Sequence, residues 1–373
     1  MAGDDLTGRY FVGLISGTSM DGIDAALVSF GDHSCNILQT HSHQYSDDLR
    51  TRLTTCKQSP GLVAVDELAD IDREVGLAFA AATNKLIQKA GVDKQDIAAV
   101  GSHGQTIYHM PPVSVQIGDP NLIATMTGIR AVADFRRRDL SLGGEGAPLA
   151  PAFHQWLYAD SGQVTGVLNL GGIANITVVD KNPDKTTGFD TGPASTLMDA
   201  WIREHRGAEF DADGEWARSG KVVGELLEKL LADPYLAETP PKSTGFEHYN
   251  LDWLRKTGGD LSLWPVEDVQ ATLLAFTVHS IVQAINDYCP NLDRLLVCGG
   301  GVHNVALMQD LATTLPGVEV ESTASAGVLP DWMEAAAFGW LAMRTLRGEP
   351  GNLPSVTGAS ESAVLGAIYP ASH

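Results

Sequence analysis

Cysteine is scarce in this chain: Cys35, Cys56, Cys289 and Cys298 are the four among 373 residues, and no two form a C-x-x-C pair. A disulfide framework and a zinc knuckle therefore lack support, and a reducing compartment fits. The eleven histidines include no H-E-x-x-H, so a helix-borne catalytic zinc is not indicated. No apolar run reaches the ~18 residues of a membrane span. The first residues, MAGDDLTGRY, are acidic and polar, unlike a signal peptide. Together these readings predict a cytoplasmic protein. Basic residues are also few: 25 Lys+Arg face 46 Asp+Glu, a formal charge of −21. Nucleic acid or an anionic membrane would require a basic surface, so neither is expected as a partner. Small anions stay open, because backbone N–H groups and local cations can override net charge.

What the chain does have is the composition of a folded enzyme, 44% hydrophobic and 19% charged, with 39 Gly and 18 Pro. Its length exceeds the ~250–300 residues at which a single core stops growing, so two domains are expected. Tyr10 to Ile15 and Ile23 to Phe30 read as a hairpin about a Gly/Ser/Thr turn. Asp66 to Ala90 has helical periodicity and stops at Gly91. Ile97 to Gly101, Val115 to Gly118 and Ala131 to Ala133 read as strands. The Gly/Pro-rich, charged stretch DFRRRDLSLGGEGAPLAP then marks a junction. We place the domains at 1–138 and 139–373, with the tail after 348 free to pack on the first.

Beyond the junction the device repeats. Val164 to Val179 is again strand, Gly turn and strand. Helices follow over Ser195 to His205, Lys221 to Ala232, Val266 to Tyr288, Asn304 to Thr314 and Trp332 to Arg347, with a buried strand at Leu295 to Cys298. Strands alternating with helices in both halves predict an α/β fold with some antiparallel pairing.

Several segments can carry chemistry. Gly17 to Asp24, GTSMDGID, packs two glycines, two hydroxyls and two carboxylates into one turn. Bare backbone and hydroxyls suit phosphate oxygens, and a carboxylate suits hydrated Mg²⁺; an ordinary hairpin turn explains it as well. The second turn, LGGIANIT at Leu170 to Thr177, favours the first reading, because two such turns suit a triphosphate held between them. VCGGGVHN at Val297 to Asn304 joins a buried strand to a helix, a place for a ring or phosphate near a helix N-terminus. There is no G-x-x-x-x-G-K-[ST], and residue 304 is Asn where G-x-G-x-x-G needs Gly, which demotes P-loop and Rossmann readings.

GFDTGPA places Asp190 between glycines before a helix, as a general base or as a plain turn aspartate. Arg136, Arg137 and Arg138 form the only three-residue basic run, suited to a carboxylate or phosphate or simply solvated. SHGQTIYH offers His103, Gln105 and His109 for sugar hydroxyls or for structure. Glu334, in the apolar helix WMEAAAFGW, faces either a cleft or solvent, since a buried acid without a partner is costly.

In chain order, GLISGTSMDGIDAAL, SHGQTIYH, VQIGDP, VADFRRRDLSLGGEGAPL, LNLGGIANIT, GFDTGPAS, QATLL, VCGGGVHN and WMEAAAFGWLA resemble the 1,6-anhydro-N-acetylmuramic acid kinases, from about Val12 to Tyr369. The resemblance implies the sugar kinase, Hsp70 and actin superfamily: a duplicated two-domain α/β fold with an inter-domain nucleotide cleft. It implies ATP and Mg²⁺, and a homodimer. Gly17, Thr18, Ser19, Met20, Asp21, Gly22, Ile23 and Asp24 would form the first phosphate turn, with Asp21 reaching Mg²⁺ through water. Gly171, Gly172 and Asn175 would form the second turn; Gly299, Gly300, Gly301 and Asn304 would lie at the nucleoside. Asp190 matches the family's catalytic aspartate. Arg136 to Arg138 would meet the lactyl carboxylate, and His103, Gln105, Asp134 and Glu334 would line the sugar pocket.

The implied reaction explains the need for an acid. In an anhydro sugar O6 is an ether to C1 and has no proton to lose, so the base activates water to attack C1 while O6 takes the γ-phosphoryl group. The product would be N-acetylmuramic acid 6-phosphate, in cell-wall recycling. Two rivals stand beside this: a conventional sugar kinase acting on a free hydroxyl, and a nucleotide-switched chaperone-like ATPase.

Overall fold

Continuous apolar runs, buried on both faces, make the first hairpin, in which Tyr10–Ser16 (β1) pairs antiparallel with Gly22–Gly31 (β2). The computed structural model describes residues 6–17, 20, 22–58 and 63–371. Among them the α/β expectation is met by two mixed sheets. The first contains β1, β2, Ser34–Gln44 (β3), Ile97–Met110 (β4), Val113–Ile117 (β5), Ala131–Ala133 (β6) and Ala367–Tyr369 (β12). The second contains Thr165–Leu170 (β7), Ile173–Val179 (β8), Thr187–Pro193 (β9), Arg294–Cys298 (β10) and Glu319–Ser322 (β11).

Both sheets share one plan. β3-β2-β1 is an antiparallel meander whose first strand lies parallel to β4, and β4 lies parallel to β6. β9-β8-β7 is the same meander, with β7 parallel to β10 and β10 parallel to β11. The core is duplicated in strand order, though the two sequences differ. Each sheet has its own apolar cluster: one around Val12, Leu14, Ile71, Phe79 and Val100, the other around Leu168, Trp201, Phe276, Ile281 and Leu295.

By compactness the chain divides into the residues up to Leu157 with those from Trp332 onward, and Tyr158–Asp331. The edge thus falls after Leu157 rather than after Arg138, and the first unit takes the chain back at Trp332. Aromatic packing accounts for this: Phe30 and Phe153 lie 6.4 Å apart, and Phe153 and Trp340 5.7 Å, which seats helix Ala150–Tyr158 and helix Met333–Arg347 in the first unit. Small residues let the second of these helices press on the sheet. A Cβ at Gly13 or Gly101 would collide with the carbonyls of Ala335 and Phe338.

Some elements depart from expectation. β3 has a polar sequence, largely open to solvent on an edge and with little apolar signal; it exists because its backbone completes β2. β4 continues to Met110 because β5 folds back on its far half. The helix expected from Lys221 starts only at Gly224. No described helix is long and apolar enough to cross a membrane.

Candidate active site

Asp190 sits in β9 opposite Asn175 of β8, beside a register shift at Ala174/Asn175. Its Oδ2 accepts from the Thr244 N–H at 3.0 Å and the Ser243 hydroxyl at 3.2 Å. Tyr235 OH donates to the Asp190 carbonyl at 2.8 Å and holds the backbone. Among the described residues Oδ1 accepts from nothing. Burial pushes the carboxyl above the ordinary aspartate value, opposed by those two donors and by the charge of Lys242. A carboxylate anchored through one oxygen, with the other open and made more basic, can take a proton from water.

The same unit holds a cavity of about 590 Å³ lined by Gly171, Gly300, Gly301 and Asn304 of the expected nucleotide set. Each glycine there serves a different contact. The Gly171 and Gly172 carbonyls accept from Ser195 N at 3.1 Å and Ala194 N at 2.9 Å, at the start of helix Thr196–Arg206. A Cβ at Gly301 would lie 2.6 Å from Leu170 Cβ, whereas one at Gly300 would meet nothing within 4 Å. Asn304 caps helix Val305–Thr314, its Oδ1 accepting from Leu307 N at 3.0 Å. Met198, Phe210 and Leu307 add apolar wall, and Asp199, Asp211 and Asp213 add acid. Burial raises the Asp199 carboxyl, against a hydrogen bond from Ser195. Asp211 is spent on the N–H groups of Trp216 and Ala217, both at 2.9 Å. Bare backbone, apolar wall and volume suit a nucleoside.

In the first unit Arg136 turns inward. Its Nη2 lies 2.8 Å and its Nε 3.2 Å from His103 Nε2, and Nη1 donates to the Gly146 carbonyl at 2.7 Å. Two donors on one ring nitrogen require His103 Nε2 to be an acceptor, which sets the neutral Nδ1–H tautomer. Burial and the neighbouring Arg136 charge hold His103 well below its usual value. Its ring rests on Phe338, centroids 4.6 Å apart. Glu334 lies in the first turn of the helix that also carries Phe338. Solvent reaches Glu334, yet desolvation by the surrounding protein pushes its carboxyl up, with Arg136 opposing and Asp24 reinforcing. Burial raises Asp134 too, countered by Arg137, whose Nη1 lies 3.6 Å away.

The basic triplet therefore splits: Arg137 and Arg138 are exposed, and Arg136 alone reaches His103. Gln105 is fully buried and braces the first turn: its Oε1 lies 2.6 Å from Ser16 Oγ, and its Nε2 donates to the Gly17 carbonyl at 3.2 Å. The side chains of Met20 and Ile23 belong to the apolar core. Asp24 accepts from Ser42 at 2.7 Å from within β2, while Gly22 starts that strand. Thr18, Ser19 and Asp21 lie outside the described residues. Among the described residues no group of three His, Cys, Asp or Glu side chains is arranged to hold a metal ion.

Ser195, Met198, Asp199, Phe210 and Ser243 to Thr244 were not anticipated from sequence. Ser195, Met198 and Asp199 follow the GFDTGPA turn, where a polar first helical turn was a readable signal. Phe210 and Ser243 to Thr244 arrive by chain folding and carry no local signature.

Comparison with known proteins shows the family. A family model described as anhydro-N-acetylmuramic acid kinase matches residues 9–371. The anhydro-N-acetylmuramic acid kinase of Shewanella sp. (strain ANA-3) is 49% identical over 366 residues, covering 97% of this chain and 99% of its own. That of Xanthomonas campestris pv. campestris (strain 8004) is 50% identical over 368 residues, covering 97% of each. Among solved structures, the activator of the 2-hydroxyisocaproyl-CoA dehydratase from Clostridium difficile with bound ADPNP reaches a TM-score of 0.47 at 12% identity, covering 91% of this chain and 96% of its own. At that score the likeness carries no argument. The full-length matches do: the chain belongs to the anhydro-N-acetylmuramic acid kinase family.

Proposed function

We infer that this kinase uses ATP to open 1,6-anhydro-N-acetylmuramic acid with water and to phosphorylate O6, giving N-acetylmuramic acid 6-phosphate and ADP. The observation that carries the reading is Asp190: one carboxylate oxygen is held by Ser243 and Thr244, the other is open, and burial raises its basicity. Asp190 takes a proton from water as the water oxygen bonds to C1. The C1–O6 bond breaks and O6 accepts the γ-phosphoryl group. No proton on O6 is needed.

The remaining residues bind and orient. Arg136 receives the lactyl carboxylate, with a guanidinium held by His103 and Gly146. Glu334, His103 and Asp134 face sugar hydroxyls, while Gln105 acts behind the first turn. Gly171, Gly300, Gly301 and Asn304 take the nucleoside and phosphates of ATP. Mg²⁺, when bound, neutralises charge on the phosphates; Asp21 is the side chain assigned to it, through water. An ion held mostly by phosphate oxygens and water needs no all-protein cage. The same reading gives a cytoplasmic homodimer in cell-wall recycling. The family leaves the chaperone-like ATPase reading without support.

The test is turnover of the anhydro sugar with Mg·ATP in ¹⁸O-labelled water. The expected product carries label at the C1 hydroxyl and phosphate on O6. A phosphorylated product with its anhydro bridge intact would sink the proposal.

A further inference from the structure

We propose that Asp139 is a positioning residue of the sugar site, holding the Arg136 loop through Gly146 and tying it to the C-terminal segment through Asn352 and Thr357. This rests on the reading that Arg136 receives the substrate carboxylate, and adds what keeps Arg136 there.

Asp139 is 0% exposed. Its side chain makes three hydrogen bonds among the described residues, all from neutral donors. Oδ2 accepts from Gly146 N at 2.8 Å; Oδ1 accepts from Asn352 Nδ2 at 2.6 Å and Thr357 Oγ1 at 2.7 Å. Three donors on two oxygens require acceptors on both, which a carboxylate offers and an amide does not, although a carboxylate removed from water without a contacting cation is costly. The charge has a use one residue away. Gly146 gives its N–H to Asp139 and its carbonyl to Arg136 Nη1 at 2.7 Å. Burial opposes the Arg136 charge, and the charges of Glu334 and Asp139 support it.

The clasp extends beyond that one side chain. Glu145 N donates to the Thr357 carbonyl at 2.8 Å and Ser360 N to the Leu142 carbonyl at 2.9 Å. Asn352 is itself fixed, its Oδ1 accepting from Ala363 N at 2.7 Å. Gly146, at φ +69°, has no room for a side chain, since a Cβ would lie 2.9 Å from Leu140 Cγ and 3.2 Å from the Arg136 carbonyl. Loop 139–146 is thereby held at both its carboxylate and its backbone, and Arg136 Nε and Nη2 are left aimed at His103.

Asp139→Asn keeps the shape but removes the charge and sets one amide N–H against a donor. The experiment compares Asp139→Asn, Arg136→Gln and Thr357→Val. It reads KM for the anhydro sugar, KM for ATP, and the ¹⁵N resonance of His103 Nε2, assigned by its loss in His103→Gln. Arg136→Gln is expected to raise the sugar KM strongly. Asp139→Asn is expected to raise it roughly tenfold, the equivalent of about 1.4 kcal/mol, with ATP KM within about twofold and the His103 resonance displaced as in Arg136→Gln. A folded Asp139→Asn protein with wild-type sugar KM and an unmoved His103 resonance overturns the proposal while leaving the role of Arg136 standing. An unchanged sugar KM in Arg136→Gln overturns that role, and this inference with it. Should Asp139→Asn fail to fold, Thr357→Val decides. A smaller rise in sugar KM with a displaced His103 resonance supports the clasp; wild-type values for both reject it.

Discussion

The two units share a strand order and, under the proposed reaction, meet their ligands by opposite means. In the first, a half-buried cation, Arg136, is held by a histidine and a backbone carbonyl, with Glu334 and Asp139 supplying countercharge. In the second, the cavity presents bare glycine backbone, apolar side chains and carboxylates, and among the described residues no arginine or lysine lines it. Under the proposed reaction the difference follows from the ligands. A single planar carboxylate is matched by a guanidinium fork. A nucleotide spreads its charge over many oxygens and brings its own metal, so N–H dipoles and close backbone approach suffice. Under that reading the shared strand order supplies two frames, and the loops decide the chemistry.

The largest expected effect falls on the second unit. Asp190→Asn should lower turnover by about 10³-fold or more, within or beyond the range for loss of a general base, while ATP still binds by calorimetry. Undiminished turnover would remove Asp190 from the mechanism. Next comes the cation of the first unit: Arg136→Gln should raise the sugar KM by about 10–100-fold, the loss of a charge-assisted pair, and leave ATP affinity alone. Loss of ATP affinity instead would erase the division of labour.

A third comparison lies within the glycine cluster. Gly301→Ala forces a Cβ against Leu170 and should cost about 1–3 kcal/mol of stability by denaturant melt. Gly300→Ala meets open space, so it should leave the melt unchanged and weaken ATP binding. Unaltered ATP affinity would move the nucleotide elsewhere.

The pH profile follows the sign of the Asp190 shift. Because burial raises that carboxyl, the base is protonated and idle below a pKa lying above the ordinary aspartate value. Thus kcat/KM should rise with pH through that point, and an acid limb at or below the ordinary value would contradict the assignment. The smallest effect belongs to Arg138, which is exposed. Arg138→Ala should change sugar KM by less than about twofold, as surface substitutions away from a site usually do.

What could be read along the chain was local. Gly91 and Gly207 end helices as expected, in the left-handed conformation, and Gly348 does the same. The strand–turn–strand devices at Tyr10 and Val164 were visible because apolar runs and glycine turns span few residues. The glycine and aspartate motifs, and the family they belong to, were legible for the same reason. β3 was not, because its pairing rests on backbone rather than side-chain pattern. Nor could one-dimensional order separate Arg136 from Arg137 and Arg138, three neighbours of one type.

By itself, then, the sequence determined the two α/β halves, the glycine turns and the acid at Asp190, since each depends on residues within a turn or two of one another. Only the tertiary structure decided which arginine faces inward, that Gln105 braces rather than lines, and that Asn352 and Thr357 reach Asp139 from more than 200 residues away. Those outcomes depend on burial and on hydrogen-bond partners distant in sequence, and the chain acquires both only on folding.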